Sequence, residues 1–257
     1  MAAITASIVA YGGAEEIIAA VDSILAWAPK DFRLYLIDNH SPDDTAARLA
    51  AQSWDDRVEL ICLEQNLGFG GGHNAVLPRL DSRYHFVLNP DILVDSPVLT
   101  QLTEWMEAHP QAVMATPQLY FPDGRIQNLP RRKPNFMGLL ARQLSHPGPL
   151  AAFDRRYTMQ DRDLTQPQEI QFCTGSFFCI RTSIYKKMKG FDQGYFMYVE
   201  DADITQKALQ YGKVYLVPGF RAVHAWHRNP MRDASHFKMQ LKSMFRFWKK
   251  WGFSFSC

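Results

Sequence analysis

The chain has 257 residues, enough for one large α/β domain with a sizeable core but short for two independent domains. Its apolar content of 47% is ordinary for a soluble globular protein, and its formal net charge of +2 gives no overall positive field that would attract nucleic acid. Cys62, Cys173, Cys179 and Cys257 show no paired metal-binding spacing, so reduced thiols in the cytosol are the simplest interpretation.

The start of the chain predicts a cytoplasmic protein. It has no basic leader, and its apolar run is too short for a signal peptide. No stretch approaches the roughly 18 consecutive apolar residues of a membrane span. We therefore expect the protein to stay in the cytosol and at most to touch the cytoplasmic face of the inner membrane.

The first half of the chain alternates strand and helix patterns, separated by polar or glycine-rich turns. The predicted strands are residues 4–10, 32–37, 58–63 and 85–88. The predicted helices are residues 15–27, 43–52 and 73–80, with a glycine-rich turn at 68–72. This alternation predicts an α/β fold with a mostly parallel, Rossmann-like central sheet, in which ligands bind beyond the carboxyl ends of the strands.

The second half changes character at residues 123–171, which hold turn residues and a basic run. We interpret them as an irregular insertion rather than a second domain. Ordered structure is predicted to resume in two segments, at residues 170–181 and 191–200. A helix at 201–211 and a final strand at 214–217 follow. Residues 236–251 predict a basic, aromatic helix, which could lie on an anionic bilayer or pack its aromatic side on the main domain.

Asp91 directly follows the predicted strand that ends at Leu88. A carboxylate there can ligate Mg²⁺ or Mn²⁺, hard ions that favour oxygen ligands and shared phosphate oxygens. However, Asn89-Pro90-Asp91 is also a common turn sequence, and Asp91 could instead cap the following helix. The motif alone leaves both interpretations open.

Two further segments that follow strands suit a nucleotide. Asp38, with Asn39 next to it, can accept a hydrogen bond from a pyrimidine or ribose, although an Asx-turn is the alternative. Residues 66–74 contain four glycines, which let a backbone approach a ligand and offer N–H groups to phosphate. The Rossmann glycine pattern fails, because His73 occupies its third position. We interpret residues 66–74 as the floor of a nucleotide-sugar pocket.

Three carboxylates lie within four residues at the start of a predicted helix: Glu200, Asp201 and Asp203. They could simply stabilise the helix dipole. The aromatic run in front of them would bury part of the cluster, which raises a carboxylate pKa and favours general-base catalysis. We predict Asp201 as the base, Glu200 as its neighbour and Asp203 as a helix cap. His224 follows the last strand and could reach the same metal as Asp91, although a single histidine is more often structural.

Taken in chain order, these segments resemble the inverting family-2 glycosyltransferases with the GT-A fold, in particular the rhamnosyltransferase branch. The resemblance covers nearly the whole chain. The segments that carry it are Ser7-Ile8-Val9-Ala10-Tyr11, Ile37-Asp38-Asn39, Asn66-Leu67-Gly68-Phe69 with Asn74, Leu88-Asn89-Pro90-Asp91, Gly175-Ser176-Phe177-Phe178, Gly190-Phe191-Asp192, Phe196-Met197-Tyr198-Val199-Glu200-Asp201 and His224. Residues 191–198 and 241–246 are especially similar to O-antigen rhamnosyltransferases that act on a polyprenyl-diphosphate-linked sugar.

The resemblance implies a role for each matching position. Asp91 and His224 would bind Mg²⁺ or Mn²⁺, and Asp201 would be the catalytic base. Asn89 stands where the common Asp-x-Asp motif has its first aspartate, which removes a charge from the metal site. The nucleotide sugar would be bound by Ala10, Tyr11, Gly12, Asp38, Asn39, Asn66, Gly68, Phe69, Gly70, Asn74, Asn89 and Asp91. The acceptor would be bound by Arg131, Arg132, Gly175, Ser176 and Tyr198, although the two arginines could also be a solvated cluster.

The implied reaction transfers a sugar, L-rhamnose from dTDP-rhamnose, with inversion onto a polyprenyl-diphosphate-linked saccharide in surface polysaccharide synthesis. We expect a single domain, with a nucleotide-sugar half (1–122), an acceptor and catalytic half (123–235) and a tail helix (236–257). Two alternatives stay open. A nucleotide-sugar pyrophosphorylase should carry a basic glycine-rich loop after its first strand. A non-catalytic nucleotide-sugar-binding module would not need the acidic cluster.

Overall fold

Nine strands form one sheet in the residues that the computed structural model describes, 3–144, 150–225 and 234–256. The strands are β1 (Ile4–Ala10), β2 (Phe32–Asp38), β3 (Val58–Cys62), β4 (Tyr84–Leu88), β5 (Ile92–Leu93), β6 (Ala112–Tyr120), β7 (Gln168–Glu169), β8 (Phe177–Arg181) and β9 (Lys213–His224). Their order across the sheet is β3-β2-β1-β4-β8-β6-β9-β5, and β7 pairs with β9.

The helices connect these strands and cover the sheet. They are α1 (Ala14–Trp27), α2 (Thr45–Ala50), α3 (Gly68–Asn74), α4 (Val98–Ala108), α5 (Phe136–Leu144), α6 (Ala151–Tyr157), α7 (Thr182–Lys187), α8 (Glu200–Leu209) and α9 (Ala234–Trp251). In the three described stretches, no helix is both long enough and apolar enough to span a bilayer.

The first half of the chain builds a parallel sheet, as its alternating pattern predicts. β1 pairs in parallel with β2 and β4, and β2 pairs in parallel with β3. Every residue of β1 is buried, as expected for a central strand covered on both faces. The carboxyl ends of β1, β2 and β4, at Ala10, Asp38 and Leu88, therefore lie along one edge of the sheet.

The second half makes the sheet mixed rather than mostly parallel. β8 is antiparallel to both β4 and β6, β9 is parallel to β6, and β5 and β7 are antiparallel to β9. After β6, the chain crosses residues 121–176 before it returns to the centre of the sheet as β8. The α/β fold is confirmed, but local periodicity does not reveal the direction in which a strand returns.

Apolar side chains on the two faces of the sheet form two core clusters. Along β1 and β4, Ile8 and Leu88 belong to the cluster that packs against α1 and α4. Their neighbours Val9 and Val87 belong to the cluster on the other side, with residues of α7 and α8. The alternation follows from the two-residue side-chain period of a strand, and it places α8 on the opposite face from α1.

Three predicted elements differ from the structure. Residues 68–72 were expected to form a turn but begin helix α3, and the expected helix at 73–80 ends at Asn74. Glycine disfavours helix interiors, so the sequence pattern predicted a turn where tertiary packing imposes a helix. The region 123–171 is not wholly irregular, because it contains α5 and α6; its residues 145–149 lie outside the described part of the chain.

The thiols agree with a reduced chain. Cys62, Cys173 and Cys179 are free cysteines. Burial strongly raises the pKa of the thiols of Cys173 and Cys179, so both stay protonated and unreactive. Cys257 lies outside the described residues.

Candidate active site

Asp91 and His224 meet at the edge of the sheet. Asp91 lies just before β5 and His224 ends β9, and the antiparallel pairing of these strands sets Ile92 opposite His224. Oδ1 of Asp91 lies 3.3 Å from Nε2 of His224. The amide nitrogen of Asn89 is also 3.3 Å from this ring nitrogen. The structure therefore brings together the two residues predicted as metal ligands, and Asn89 contacts the histidine rather than adding a charge.

Gln127 sets the orientation of the His224 ring. Its Nε2 donates to the backbone oxygen of His224 at 2.9 Å, so its Oε1, 3.0 Å from Nδ1 of His224, is the acceptor for the ring proton. Both side chains are buried. In the neutral ring the proton then lies on Nδ1, and Nε2 carries a lone pair that can accept from the amide of Asn89 or bind a cation.

The Asp91–His224 pair fits a divalent cation. Oδ1 of Asp91 is buried and has no hydrogen-bond partner in the described residues, yet it faces a ring nitrogen that also carries a lone pair. Adjacent ligands of an octahedral ion with bonds of about 2.1 Å are about 3 Å apart, close to the separation of this pair. In the described part of the chain, no third His, Cys, Asp or Glu joins them in a metal-binding group. Further coordination positions would be filled by substrate oxygens and water, as is usual for Mg²⁺.

A strained turn places the acidic pair at the start of α8. Tyr198 and Val199, the residues before the helix, have φ angles of 69° and 70°. A β-branched residue such as Val199 rarely adopts this left-handed conformation, and such strain clusters at functional sites. The hydroxyl of Tyr198 lies 2.7 Å from Nδ1 of His236 in α9, which holds the turn from outside.

Asp201 and Glu200 have different surroundings. Oδ2 of Asp201 accepts from the backbone N–H of Gly175 at 3.4 Å, and Oδ1 accepts from that of Ala202 at 2.8 Å. Asp201 is partly exposed, whereas Glu200 is buried and its Oε2 has no hydrogen-bond partner in the described residues. Of the two residues, Asp201 is thus the more exposed.

Burial raises the pKa of both carboxyl groups. For Asp201, burial is the main cause, and the positive charge of Arg131 opposes it. For Glu200, burial and then the charge of Asp201 raise the pKa to about 8. With its pKa near 8, Glu200 is therefore mostly protonated at neutral pH, and the positive charge of Arg131 favours ionisation of Asp201. Its raised pKa makes it a better proton acceptor than an ordinary aspartate.

Backbone contacts join the acidic pair to the metal-ligand pair. The N–H of Asn89 donates to the carbonyl of Ser176 at 2.8 Å, and the N–H of the preceding residue, Gly175, donates to Asp201. A Cβ on Gly175 would lie 3.0 Å from the ring of Phe69 and 3.5 Å from Cβ of Asp201. The absence of a side chain at Gly175 therefore lets the backbone pack closely against Phe69 and Asp201.

The predicted nucleotide side lies at the ends of β1 and β2, where Ala10 is paired with Asp38. Asp38 is buried, and its two carboxylate oxygens accept from the hydroxyl and the backbone N–H of Ser41, at 2.5 and 3.2 Å. The N–H of Gly12 donates to the same hydroxyl at 2.9 Å. The turn interpretation of Asp38 is thus realised, and Tyr11, 55% exposed, and His40 are among the side chains exposed at this edge.

The glycine segment packs against the chain that leads to α8 rather than forming an open floor. A Cβ on Gly68 would lie 2.1 Å from the carbonyl oxygen of Phe196, and one on Gly70 would lie 2.7 Å from Cβ of Phe191. The N–H of Phe69 donates to the same carbonyl of Phe196 at 3.2 Å. Glycine is required here for close approach between protein segments, and a contact of this segment with a nucleotide sugar stays a prediction.

The asparagines predicted to contact the nucleotide sugar bind the protein itself. The amide of Asn39 donates to Oδ1 of Asn66 and to the carbonyl of Gly68, at 3.0 and 3.1 Å. The side chain of Asn74 bonds to both the N–H and the carbonyl of Phe191 at 2.9 Å. The asparagine side chains therefore fix α3 between β2 and the segment before α8, and their contact with a nucleotide sugar stays a prediction.

The two arginines predicted to bind the acceptor lie in different surroundings. The charge of Arg131 acts on Asp201, its guanidinium lies 5.1 Å from the ring centre of Phe172, and its Nε is buried without a hydrogen-bond partner in the described residues. Arg132 instead makes two parallel bonds to the carboxylate of Asp161, at 2.8 and 2.7 Å. Of the two arginines, Arg131 is therefore the one whose charge acts on Asp201, and acceptor binding by either stays a prediction.

Asp203 anchors the C-terminal helix and is not the helix cap that was predicted. It is fully buried, and it accepts hydrogen bonds from Tyr195 at 3.3 Å, Trp251 at 2.7 Å and Lys250 at 2.9 Å. Two of these partners come from α9, far along the chain, so no local pattern could reveal them. The bonds fix α9 against α8, the helix that carries Asp201.

Sequence reasoning also missed Gln127 and Ser41. Gln127 lies in the region interpreted as an irregular insertion, where nothing local marks it. Ser41 follows Asp38 by three residues, a spacing typical of side-chain-stabilised turns, so this signal was available.

The sequence also matches the profile of a known protein family. The sequence profile of glycosyl transferase family 2 matches residues 5–189, well over half of the chain. The chain belongs to this family. The match includes Asp38, Asp91 and Gly175 and ends before Asp201 and His224. The resemblance to family-2 glycosyltransferases, which the short motifs indicated, is thereby confirmed.

Two curated relatives are rhamnosyltransferases by name. Rhamnosyltransferase WbbL of Escherichia coli (strain K12) is 41% identical over 80 residues, which cover 30% of this chain and 30% of that protein. N-acetylglucosaminyl-diphospho-decaprenol L-rhamnosyltransferase of Mycobacterium tuberculosis (strain CDC 1551 / Oshkosh) is 28% identical over 230 residues, 82% of this chain and 73% of that protein. The similarity thus spans under a third of the length of the first relative and about three quarters of the second.

A solved glycosyltransferase shares the fold. The crystal structure of GalNAc-T7 with UDP, GalNAc and Mn²⁺ superimposes with a TM-score of 0.72 at 16% identity, over 96% of this chain and 48% of that one. The predicted GT-A fold is therefore confirmed, and at this identity the likeness concerns the fold alone.

Proposed function

We propose that this family-2 glycosyltransferase is an inverting, metal-dependent rhamnosyltransferase. It would transfer L-rhamnose from dTDP-rhamnose to a polyprenyl-diphosphate-linked saccharide in the synthesis of surface polysaccharide. One observation carries the proposal: Asp91 with His224, and Glu200 with Asp201, occupy adjoining segments joined through Gly175 and Ser176. The names of the two curated relatives support the choice of rhamnose and of a lipid-linked acceptor.

The reaction would be a single displacement. Asp201 takes the proton of the acceptor hydroxyl while the hydroxyl oxygen bonds to the anomeric carbon of the donor. The bond from that carbon to the diphosphate oxygen breaks, and its electron pair leaves with the nucleoside diphosphate. The products are a glycoside of inverted configuration, a nucleoside diphosphate and a proton on Asp201. A cation held by Asp91 and His224 would offset the negative charge of the leaving diphosphate.

Two neighbours would tune this step. Glu200 stays protonated at neutral pH, so the site does not place a second negative charge beside the departing diphosphate. Arg131 lowers the pKa of Asp201 and has an unpartnered Nε, so it can bind an oxygen of the acceptor close to the base. This balance would keep Asp201 ionised while burial keeps it basic.

A pH profile separates the roles of the two carboxyl groups. The kcat/KM of the wild type should rise with pH as Asp201 ionises, because a base must be deprotonated to act, and the midpoint should lie above the usual aspartate range because burial raises its pKa. Glu200→Gln should keep this limb and lose a second inflection near the Glu200 pKa of about 8. Glu169→Gln, on the exposed strand β7, is the control and should leave both inflections in place.

The same pH profile can also show that the two carboxyl groups have the reverse roles. If Glu200→Gln loses activity at neutral pH as severely as Asp201→Asn, then Glu200 is the base and the assignment of the two groups is reversed.

A donor panel tests the proposed function itself. Nucleoside diphosphate release is measured with several nucleotide sugars, with and without a polyprenyl-diphosphate-linked N-acetylglucosamine acceptor, and the product anomer is determined by NMR. We expect the highest rate with dTDP-rhamnose, only when acceptor is present. A higher rate with another donor would contradict the choice of rhamnose, and retention of configuration would contradict the single displacement.

The two alternatives from the sequence predict other outcomes. A pyrophosphorylase would make the nucleotide sugar from a nucleoside triphosphate and a sugar phosphate; however, the turn after β1 is followed by Glu15 and Glu16 instead of a basic residue. A binding module would give heat in a calorimetric titration with no diphosphate release, and it would have no use for the acidic pair of Glu200 and Asp201.

A further inference from the structure

One face of α9 is exposed and carries no negative charge. The helix contains no Asp or Glu, and Ser243, Met244 and Phe247 form its buried side. The residues exposed on the opposite side are Lys238, Leu241, Lys242, Phe245 and Lys249. We call the three lysines of this side the lysine face.

Exposed aromatic rings extend this surface beyond the helix. Phe245 is 66% exposed, and Phe253 and Phe255 are each 61% exposed. Trp248 lies between Phe245 and Phe253, with ring centres 6.1 and 5.0 Å away. Phe136 of α5 contacts both Phe253 and Phe255, at 6.4 and 5.9 Å. These five rings form a continuous surface, the aromatic strip.

The aromatic strip is held in place by backbone hydrogen bonds. The N–H of Phe136 donates to the carbonyl of Ser254, and that of Met137 donates to the carbonyl of Phe255, each at 2.9 Å. The strip is therefore built from α9, α5 and the chain after α9, rather than from loose side chains. Fixing such large apolar groups in water is unfavourable, and exposed patches of this kind mark binding surfaces.

The lysine face is not neutralised within the protein. The other cations of α9 have acidic partners: Lys250 binds Asp192 and Asp203, and Arg246 binds Asp192. In the described part of the chain, no carboxylate lies within ion-pair distance of Lys238, Lys242 or Lys249. The surface thus combines unpaired positive charge with exposed aromatic rings.

We propose that the aromatic strip and the lysine face bind the surface of an anionic phospholipid bilayer. Aromatic rings favour the interface between lipid head groups and acyl chains, and lysines beside them are attracted to anionic head groups. The combination is the chemistry of a helix that lies in the plane of the membrane without crossing it. Binding would bring α9 to the lipid surface along its length.

The same helix contacts the turn that carries the proposed base. The hydroxyl of Ser243 donates to the carbonyl of Met197 at 3.0 Å, and His236 contacts Tyr198. Membrane binding through α9 would therefore hold the active site close to the lipid surface, where a polyprenyl-linked acceptor resides. This last link rests on the proposed function, whereas the binding of lipid does not.

Liposome flotation of the full chain, without donor or acceptor, tests the inference. The probes are vesicles of phosphatidylcholine alone and of a phosphatidylcholine–phosphatidylglycerol mixture. Two triple variants remove the surface. The phenylalanine variant places serine at the exposed rings: Phe245→Ser, Phe253→Ser and Phe255→Ser. The lysine variant places glutamine on the lysine face: Lys238→Gln, Lys242→Gln and Lys249→Gln. The matched controls change exposed residues elsewhere: Lys30→Gln, Lys187→Gln and Lys189→Gln together, and Trp27→Ser.

The wild type and both controls should float with the anionic vesicles, and raising the salt concentration should reduce this binding. Each lysine near an anionic surface contributes about a fivefold factor, so losing three should lower the partition coefficient on the order of 100-fold. The phenylalanine variant should lose binding to a similar degree. Both variants should keep wild-type transfer to a short-chain, water-soluble acceptor, which separates this proposal from the proposed function.

Several outcomes would overturn the inference. The wild type could stay with the free protein in every gradient, or the variants could float as the controls do. Wild-type protein that does not float and is a dimer in light scattering, with the phenylalanine variant a monomer, would show that the aromatic strip binds a second copy of the chain instead of lipid.

Discussion

Replacing Asp201 by Asn should lower kcat for sugar transfer by on the order of 10²–10⁴-fold, the usual contribution of a general base. The amide matches the carboxylate in size and can still accept from the N–H of Gly175, but it cannot take the acceptor proton. The loss should appear in kcat rather than in donor binding. Steady-state kinetics with the preferred donor, together with calorimetric titration of that donor, measures both quantities.

A surface aspartate provides the control for this substitution. Asp95 forms an exposed ion pair with Arg221, and Asp95→Asn makes the same chemical change away from the site. It should keep wild-type kcat. If Asp201→Asn turns over within a few-fold of that control, Asp201 is not the base and the proposed displacement loses its proton acceptor.

Removing the divalent cation should abolish transfer, and adding Mg²⁺ or Mn²⁺ should restore it. Asp91→Asn and His224→Ala should each raise the metal concentration needed for half-maximal rate by more than Gln127→Ala does. Gln127 would act on the metal through the ring and backbone of His224, and loss of such a supporting contact typically weakens metal affinity by about 10–100-fold. Titration of each apo-enzyme with Mn²⁺, followed by activity and by the paramagnetic signal of free Mn²⁺, gives the order.

Gln118 provides the control for the effect of Gln127 on His224. Gln118 is also buried, but its amide bonds to backbone carbonyls of Leu119 and Gln127 rather than to the histidine ring. Gln118→Ala should therefore keep the wild-type metal requirement once folding is verified. Full transfer in excess chelator, by wild type or by Asp91→Asn, would show that Asp91 and His224 are not metal ligands.

The residues nearest to the proposed chemistry could be found in the sequence because they follow buried strands or begin a helix. Asp91 comes just after β4 and His224 ends β9, and the pairing of β5 with β9 closes the distance between them. The rule that ligands bind at strand ends in α/β sheets anticipates this edge. It does not give the distance, because that depends on a pairing of strands more than a hundred residues apart.

Other positions were misread because their partners are distant in the chain. Asp203 looks like a helix cap locally, but it is buried by Trp251 and Lys250 of α9. The glycines of α3 look like a phosphate loop, but Gly68 is needed for close contact with Phe196. In both cases tertiary packing overrides a local pattern, which is the regime where propensity is least informative.

The strand directions of the second half were also beyond the local pattern. The long crossover between β6 and β8 allows either direction of return, and Tyr198 and Val199 form a left-handed turn into α8 that the sequence pattern did not indicate. Nothing in the side-chain periodicity marks such a turn, because strain of this kind is imposed by surrounding contacts.

The convergence of the two residue pairs is tested most directly by crystals of the protein grown with Mn²⁺ and dTDP. The anomalous signal of Mn²⁺ should lie between Oδ1 of Asp91 and Nε2 of His224, in contact with the diphosphate, and the carboxylate of Asp201 should face the adjoining space beside Gly175. A manganese peak held by other residues, or a diphosphate bound away from this edge of the sheet, would contradict the account.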